Sequence, residues 1–476
     1  MIDLNRQTEP ERRMSRYALP AADAAWLHMD RPTNPMVVNG LVTLAESPDP
    51  DDVAAVLEQR LVAEFPRFRQ RIAEPLGRGP AFEDDPSFDL DDHLHRLVLP
   101  APGDRAALQE TVSELVTPSL DPGKPLWHAY LIEGYEGGAA VLWRIHHCIA
   151  DGIALARVML SITDGGDEAR TAPPSSRSGG TLRRLASVPR DAISALRDVG
   201  SAAVHEGVET LAHPDHLREL ARTARRDVST VAKLLASPAD PASDLRGELA
   251  GVRRVAWSEP ISLARLKEAA RLQRVTINDL LVSALAGALH EQLGPDGRLP
   301  DEIHAMVPFN LRALDEPVPA DLGNDFALIL LELPVGSVAP AERLREVSSR
   351  MDEIKSTHEA LLAYGVLSAI GLTPPWVEDR LIGFFTDKAS LVVTNVPGPR
   401  QQLHFAGAPV SGVLVWAPCS GSLGMTVSIF SYDGEVTAGF MTDTALIPDP
   451  GSLARAYEDE LGRLAPEPSE QGSPSG

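Results

Sequence analysis

Ala139-Ala140-Val141-Leu142-Trp143-Arg144-Ile145-His146-His147-Cys148-Ile149-Ala150-Asp151-Gly152 is the stretch from which the rest of the chain can be read outward. A short apolar β-type run ends in two consecutive histidines, and Asp151-Gly152 then opens an apolar helix that runs through Leu160. Successive strand side chains point to opposite faces, so at most one histidine faces a given cavity while the other looks into the structure. A histidine that serves as a base stays neutral with one ring nitrogen free, and a neighbouring polar group selects the tautomer. Asp151, four residues past His147, could orient the ring, or could instead pair with an arginine and brace the loop; spacing alone leaves both open.

Other chemistries compete for the same residues. A buried histidine that only satisfies its own hydrogen bonds is the bland reading. His146, His147 and Asp151 are acceptable ligands for iron or zinc. Adjacent strand histidines point apart, however, and no second His, Cys or Asp cluster completes the set, so no metal is expected. Cys148 reads as small buried filling, because residues adjacent in sequence rarely meet as a nucleophile and its base.

Upstream, Val37–Leu44 reads as a strand, while Asp51–Phe65 and Leu108–Val116 carry apolar residues at helical spacing. Downstream, Asp164-Gly165-Gly166 and Pro173–Gly180 mark a linker. Its Leu182–Leu235 portion reads as amphipathic helix bearing Arg218, Arg222, Arg225 and Arg226; that cluster is a solvated face or a contact for anionic lipid headgroups. A second mixed region follows, with helices at Ser262–Leu272 and Asn278–Leu293. Its strands are expected at Ala327–Leu333, Leu391–Thr394, Val413–Trp416, Met425–Phe430 and Glu435–Phe440. The expected organisation is a disordered start (1–14), a first lobe (15–162), a linker with amphipathic helices (163–250), a second lobe (251–464) and a disordered tail (465–476).

The totals narrow the function. A chain of 476 residues exceeds what one core usually organises, and its 43% hydrophobic and 23% charged residues are an ordinary globular balance. A formal charge of -23 disfavours nucleic acid, which needs a concentrated basic surface. Two isolated cysteines, Cys148 and Cys419, indicate neither a disulfide framework nor a cysteine-rich zinc site, and the charged opening residues lack a secretory signal, so a cytoplasmic setting is expected. Ala360–Val377 is uncharged for about the length of a membrane span, but Gly365, Gly371 and Pro374-Pro375 break it. It reads as a buried helix and turn, or as an apolar surface resting in a lipid interface.

His146-His147-x-x-x-Asp151-Gly152 resembles the HHxxxDG signature of the acyltransferases related to chloramphenicol acetyltransferase and the peptide-synthetase condensation domains. Within that group the chain is most similar to the bacterial wax ester synthase/diacylglycerol acyltransferases. Pro125-Leu126-Trp127 resembles their PLW motif and Asn278-Asp279 their ND motif. Leu19-Pro20-x-x-Asp23-x-x-Trp26 resembles their opening Ser-Pro-x-Asp-x-x-Phe segment, with Trp26 in place of phenylalanine, and Asn395-Val396-Pro397-Gly398-Pro399 resembles their Asn-x-Pro-Gly-Pro turn. Val307–Arg312 departs from their Pro-Val-Ser-x-Arg type segment, which leaves the acceptor pocket's size open. The likeness spans about residues 15 to 462.

The resemblance implies an α/β (α+β) fold of two chloramphenicol-acetyltransferase-like lobes, each a mixed sheet with flanking helices, and an active-site tunnel at their interface. It implies transfer of a long-chain acyl group from acyl-CoA, a substrate rather than a cofactor, to diacylglycerol or a fatty alcohol. His147 is then the general base, His146 supports it, Asp151 is structural with Arg312 as its ion-pair partner, and Gly152 allows close substrate approach. Asn278 donates to the oxyanion or substrate, or caps its helix. Pro125, Leu126, Trp127, Asp279 and Arg312 are grouped with substrate binding. Insoluble substrates imply a peripheral position at the inner face of the plasma membrane or on lipid droplets, with Leu361, Leu362, Val366, Leu367, Trp376 and the four linker arginines as contacts. The alternatives are a condensation-type enzyme that uses a carrier-protein thioester or a polyketide or glycolipid acceptor, and a non-catalytic lipid-binding relative.

Overall fold

The computed structural model describes residues 16–74, 79–164, 239–294, 300–310, 322–324, 326–336, 339–356, 383 and 386–467. The first half comprises β1 (Arg16–Ala18), α1 (Ala21–Met29), β2 (Val37–Leu44), α2 (Pro50–Val56), β3 (Gln70–Ala73), β4 (Ala81–Asp84), β5 (Leu94–Val98), α3 (Arg105–Val116), β6 (Trp127–Tyr135), β7 (Gly138–His146) and α4 (Gly152–Ile162). In the second half come β8 (Arg253–Trp257), β9 (Ile261–Ser262), α5 (Leu263–Gln273), α6 (Ile277–Leu293), β10 (Glu302–Asn310), β11 (Phe326–Pro334) and α7 (Pro340–Ser356). These are followed by β12 (Leu391–Pro397), β13 (His404–Phe405), β14 (Ala408–Trp416), β15 (Met425–Tyr432), β16 (Glu435–Asp443) and α8 (Pro450–Leu464).

β7 runs antiparallel between β2 and β6, and all of its residues are buried. A strand covered on both faces can be apolar throughout, which explains why residues 139–145 show no alternation. Carboxylates start these helices: Asp49 accepts from the Asp51 N–H at 2.9 Å before Pro50, and Asp104 from the Ala107 N–H at 3.0 Å. The single helix expected over residues 51–65 instead ends at Val56 and continues as a wider π turn, Leu57–Val62, which keeps Leu57, Leu61 and Val62 in the core.

Two large sheets result, with strand orders β13-β14-β2-β7-β6-β5 and β11-β10-β12-β15-β16-β8. Chain position and sheet membership therefore differ from the simple division into two segments. β14, from the expected second lobe, pairs antiparallel with β2 and completes the first sheet, Trp416 standing opposite Asn39. Apolar alternation fixes which face of a strand is buried, not which sheet edge it joins. Two expected boundaries also move. Leu245 is fully buried in the second core and the Asp240 carboxylate accepts from the His304 N–H, so residues 240–250, placed in the expected linker, pack as part of the second half. Ala465, read as the start of the tail, is buried as well.

One core fills each half, and a third cluster joins them. In it Leu41, Val112 and Val116 of the first half meet Trp257, Trp416 and Met441. Arg253 adds a polar link across this seam, donating to Asn34 Oδ1 at 2.6 Å and to the Thr33 carbonyl at 3.0 Å.

Candidate active site

His146 ends β7 opposite Val37, and its N–H donates to the carbonyl of Leu126 at 2.9 Å. The next residue leaves the ladder: the His147 N–H donates to the Met36 carbonyl at 2.8 Å. Both histidines are thus held by main chain on either side before their rings are considered. The Cys148 N–H donates to His146 Nδ1 at 3.1 Å, and Asp30 Oδ1 lies 3.6 Å from Nε2. Desolvation opposes a charge on this ring, but the Cys148 and Asp30 side chains favour one and push its pKa up to about 10; the Cys148 amide contact is the geometry that opposes them. The amide directed at Nδ1 requires a lone pair there, which selects the neutral ring with its proton on Nε2. Asp30 Oδ1 also accepts from the Met36 N–H at 2.7 Å, so the carboxylate that stands beside His146 also holds the residue whose carbonyl receives the His147 N–H.

The His147 ring is 6% exposed and stacks on the indole of Trp26, with centroids 3.9 Å apart and planes 19° from parallel. Burial drives its pKa down to about 4, while a hydrogen bond toward its own backbone and another to Asn324 act the other way. The ring is therefore neutral at physiological pH and able to accept a proton.

Beneath the motif loop lies a buried ion pair that the sequence reading missed. Asp23 and Trp26 stand three residues apart on α1 and so share one face of it. Asp23 Oδ2 accepts from Arg67 Nη1 at 2.8 Å, and the same nitrogen donates to the carbonyls of Cys148 at 3.1 Å and Ile149 at 2.7 Å. Desolvation raises the Asp23 carboxyl above its ordinary range, against the pull of Arg67 and Asn324. From the second half, segment 322–324 closes over the loop. The Asp151 N–H donates to the Gly323 carbonyl at 3.3 Å, and Asn324 Nδ2 donates to Asp23 Oδ1 at 2.8 Å and to the His147 carbonyl at 2.9 Å. Gly323 has φ +111°, a conformation in which glycine is at ease. Nothing in Pro66-Arg67-Phe68-Arg69 says which arginine turns inward, and Leu322-Gly323-Asn324 reads as an ordinary turn.

Asp151 caps α4, its Oδ1 accepting from the Ala154 N–H at 2.8 Å, which gives the carboxylate a structural use. Its expected partner Arg312 lies outside the described residues, as do Arg218, Arg222, Arg225, Arg226, Leu361, Leu362, Val366, Leu367 and Trp376. Among the described residues, a Cβ on Gly152 would meet no atom within 4 Å beyond its chain neighbours and its own helix backbone.

One expected role is corrected, and two side chains grouped with substrate binding are packed inside the fold. Asn278 does not cap its helix: Thr276 does, in a capping box with Asp279, and Asn278 Oδ1 accepts from Asn395 Nδ2 at 2.7 Å. The structure thereby joins the two motifs Asn278-Asp279 and Asn395–Pro399. Asp279, grouped with substrate contacts, is buried with Oδ2 accepting from the Thr276 N–H at 2.8 Å and from the Ser348 hydroxyl at 3.1 Å. Trp127 is fully buried, donates from Nε1 to the Phe68 carbonyl at 2.7 Å and stacks on His93. Within Pro125-Leu126-Trp127, the Leu126 carbonyl receives the His146 N–H.

Cys148 and Cys419 are free and buried. Among the described residues no group of three or more His, Cys, Asp or Glu side chains is placed to hold a metal ion, and no helix is long and apolar enough to cross a membrane.

Comparison with known proteins matches residues 19–281 to the wax ester synthase/diacylglycerol acyltransferase catalytic domain and residues 322–465 to the WS/DGAT C-terminal domain. A probable diacylglycerol O-acyltransferase of Mycobacterium tuberculosis is 31% identical over 437 residues, 89% of this chain and 90% of that protein. Among solved structures, the wax ester synthase/diacylglycerol acyltransferase from Marinobacter aquaeolei VT8 superposes with a TM-score of 0.66 at 23% identity, covering 94% of this chain and 98% of that one. The first condensation domain of the calcium-dependent antibiotic synthetase gives 0.57 at 15% identity, over 95% and 96% of the two chains. These two likenesses carry the fold, a pair of mixed α/β lobes.

Proposed function

Since this chain belongs to the wax ester synthase/diacylglycerol acyltransferase family and is thus an acyltransferase, we propose that it moves a long-chain acyl group from acyl-CoA to the hydroxyl of diacylglycerol, a long-chain alcohol or both, with His147 as general base. The observation that carries this reading is a histidine kept neutral by burial and clamped on its face by Trp26, at the head of a loop tied down from both halves.

In the proposed step the acceptor oxygen attacks the thioester carbonyl as its proton passes to His147. The tetrahedral intermediate collapses, the C–S bond breaks, and the departing CoA sulfur takes the proton from the imidazolium, leaving ester and thiol. A thiol with a pKa of about 8.5 leaves readily, so no acyl-enzyme is needed. The low proton affinity belongs to the resting site; negative charge on the intermediate raises it as the reaction proceeds. Gly152, with open space among the described residues where a Cβ would stand, leaves room for the reacting groups. Such water-insoluble products favour a cytoplasmic enzyme working peripherally on a membrane or lipid droplet.

The assay offers palmitoyl-CoA with hexadecanol and, separately, dipalmitoylglycerol, and resolves the lipid products. Wax ester or triacylglycerol is expected. Ester formed only from carrier-protein thioesters, or lipid binding without ester, would displace the proposal. Flotation with liposomes tests the peripheral position, and a Leu361, Val366 and Leu367 triple polar variant that floats like the parent would remove that mapping.

A further inference from the structure

The base assignment explains why a neutral ring is useful but not what fixes it against a substrate that arrives between two halves of the fold. A single amide is placed to do so. Asn324 Nδ2 has two hydrogens, one donated to Asp23 Oδ1 at 2.8 Å and the other to the His147 carbonyl at 2.9 Å, while the Asn324 main-chain N–H donates to the same Asp23 oxygen at 3.1 Å. Asp23 is fully buried and held by Arg67, which itself grips the carbonyls of Cys148 and Ile149. The amide thus stands between a rigid buried anchor and the main chain of the reacting residue. It also belongs to a segment that reaches the loop from the second half, where Ala150 and Gly323 form a bridge.

We propose that Asn324 is a positioning residue for the transfer: by holding Asp23 and the His147 carbonyl with one amide group, it sets where the ring stands and couples that position to the second half of the fold. The proposal rests on His147 being the base. Hydrogen bonding and shape make separate demands here. An aspartate has the shape of asparagine but no donor, so it would lose both side-chain bonds and set a second carboxylate against Asp23. Among the described residues, the charged and titratable groups on the elements that hold the His147 loop are His146 on its own strand end, the Asp23–Arg67 pair from α1 and the turn before β3, and Asp151 at the head of α4. A carboxylate introduced beside them at position 324 favours the imidazolium and moves the acid limb of the rate profile upward.

The test measures kcat and KM for palmitoyl-CoA across pH in the full chain, for the parent, Asn324→Ala, Asn324→Asp and His147→Ala, with circular dichroism and thermal melts alongside. Asn324→Ala is expected to lower kcat about 10- to 100-fold while KM changes less than about threefold, as displacement of a reacting group by a fraction of an ångström would. Asn324→Asp is expected to be impaired at least as much, with its acid limb shifted up. If either alanine or aspartate fails to fold, Asn324→Ser, which keeps one donor and loses the second, is read in its place and is expected to lower kcat about tenfold. A folded variant that keeps parental kcat and acid limb overturns the proposal. If His147→Ala alone retains ester synthesis, the base reading fails instead, which separates the two outcomes.

Discussion

Trp26 lies flat against His147, with ring centroids 3.9 Å apart. The contact gives a purpose to the aromatic residue that stands three positions after Asp23, since helix α1 presents both to the motif loop, one to the ring and one to the ion pair below it. An aromatic pair of this kind contributes about 0.5–1.5 kcal/mol beyond its area. Trp26→Phe should keep kcat within a few-fold, whereas Trp26→Ala should lower it about tenfold or more and cost roughly 3–5 kcal/mol of stability through the cavity left behind. Steady-state rates and urea unfolding of the two variants check this.

The Asp23–Arg67 pair has both side chains at 2% exposure or less. Removing one partner leaves an uncompensated buried charge, so Asp23→Ala and Arg67→Ala should each lose about 3–5 kcal/mol. Equilibrium denaturation of the two variants and of the double variant should show a combined loss well below the sum, because the second change removes the stranded charge.

Burial holds His147 at about 4, below the ordinary histidine value of about 6.5. Between those values the unfolded chain binds the extra proton, so this residue's contribution is fully present above about pH 6.5 and is lost as the pH falls toward 4. His304, raised by its hydrogen bond to Asp240, acts with the opposite sign, so the comparison must be made against a variant of His147 itself. From pH 7 to 5.5 the parent should lose about 1 kcal/mol more than His147→Gln in urea unfolding. The same ring predicts that activity persists well below pH 6.5, with an acid limb near pH 4 to 5.

Asp151 caps α4 and is 3% exposed. Asp151→Asn keeps an accepting oxygen and should stay close to the parent in melting temperature, whereas Asp151→Ala should lose about 1 kcal/mol. Neither should abolish transfer as His147→Ala does, a difference that rate measurements on folded variants will show.

The motif strand and the helix after it were legible because each obeys a local rule, an apolar β-type run and then Asp-Gly opening an apolar helix; the same rule could have identified Asp151 as that helix's cap, a use its reading as ring orienter or loop brace passed over. Thr276-x-x-Asp279 obeys one too, as a capping box, and could have corrected the reading of Asn278 as a cap. Arg67, Asn324 and the sheet partner of β14 follow no local rule. Arg67 is one of two arginines flanking Phe68, and what turns it inward is Asp23, 44 residues away. Asn324 resembles any turn asparagine until the loop 177 residues earlier is folded against it. Val413–Trp416 was readable as a strand, yet its place beside β2 depends on an edge that β2 leaves open in three dimensions.

The most direct measurement compares His147→Ala with the parent for ester formation from palmitoyl-CoA with hexadecanol and with dipalmitoylglycerol, both proteins being checked for folding by thermal melting. Loss of the base should lower the rate about 10²- to 10⁴-fold with the fold retained. Ester formation by the folded His147→Ala protein at the parental rate would contradict the account.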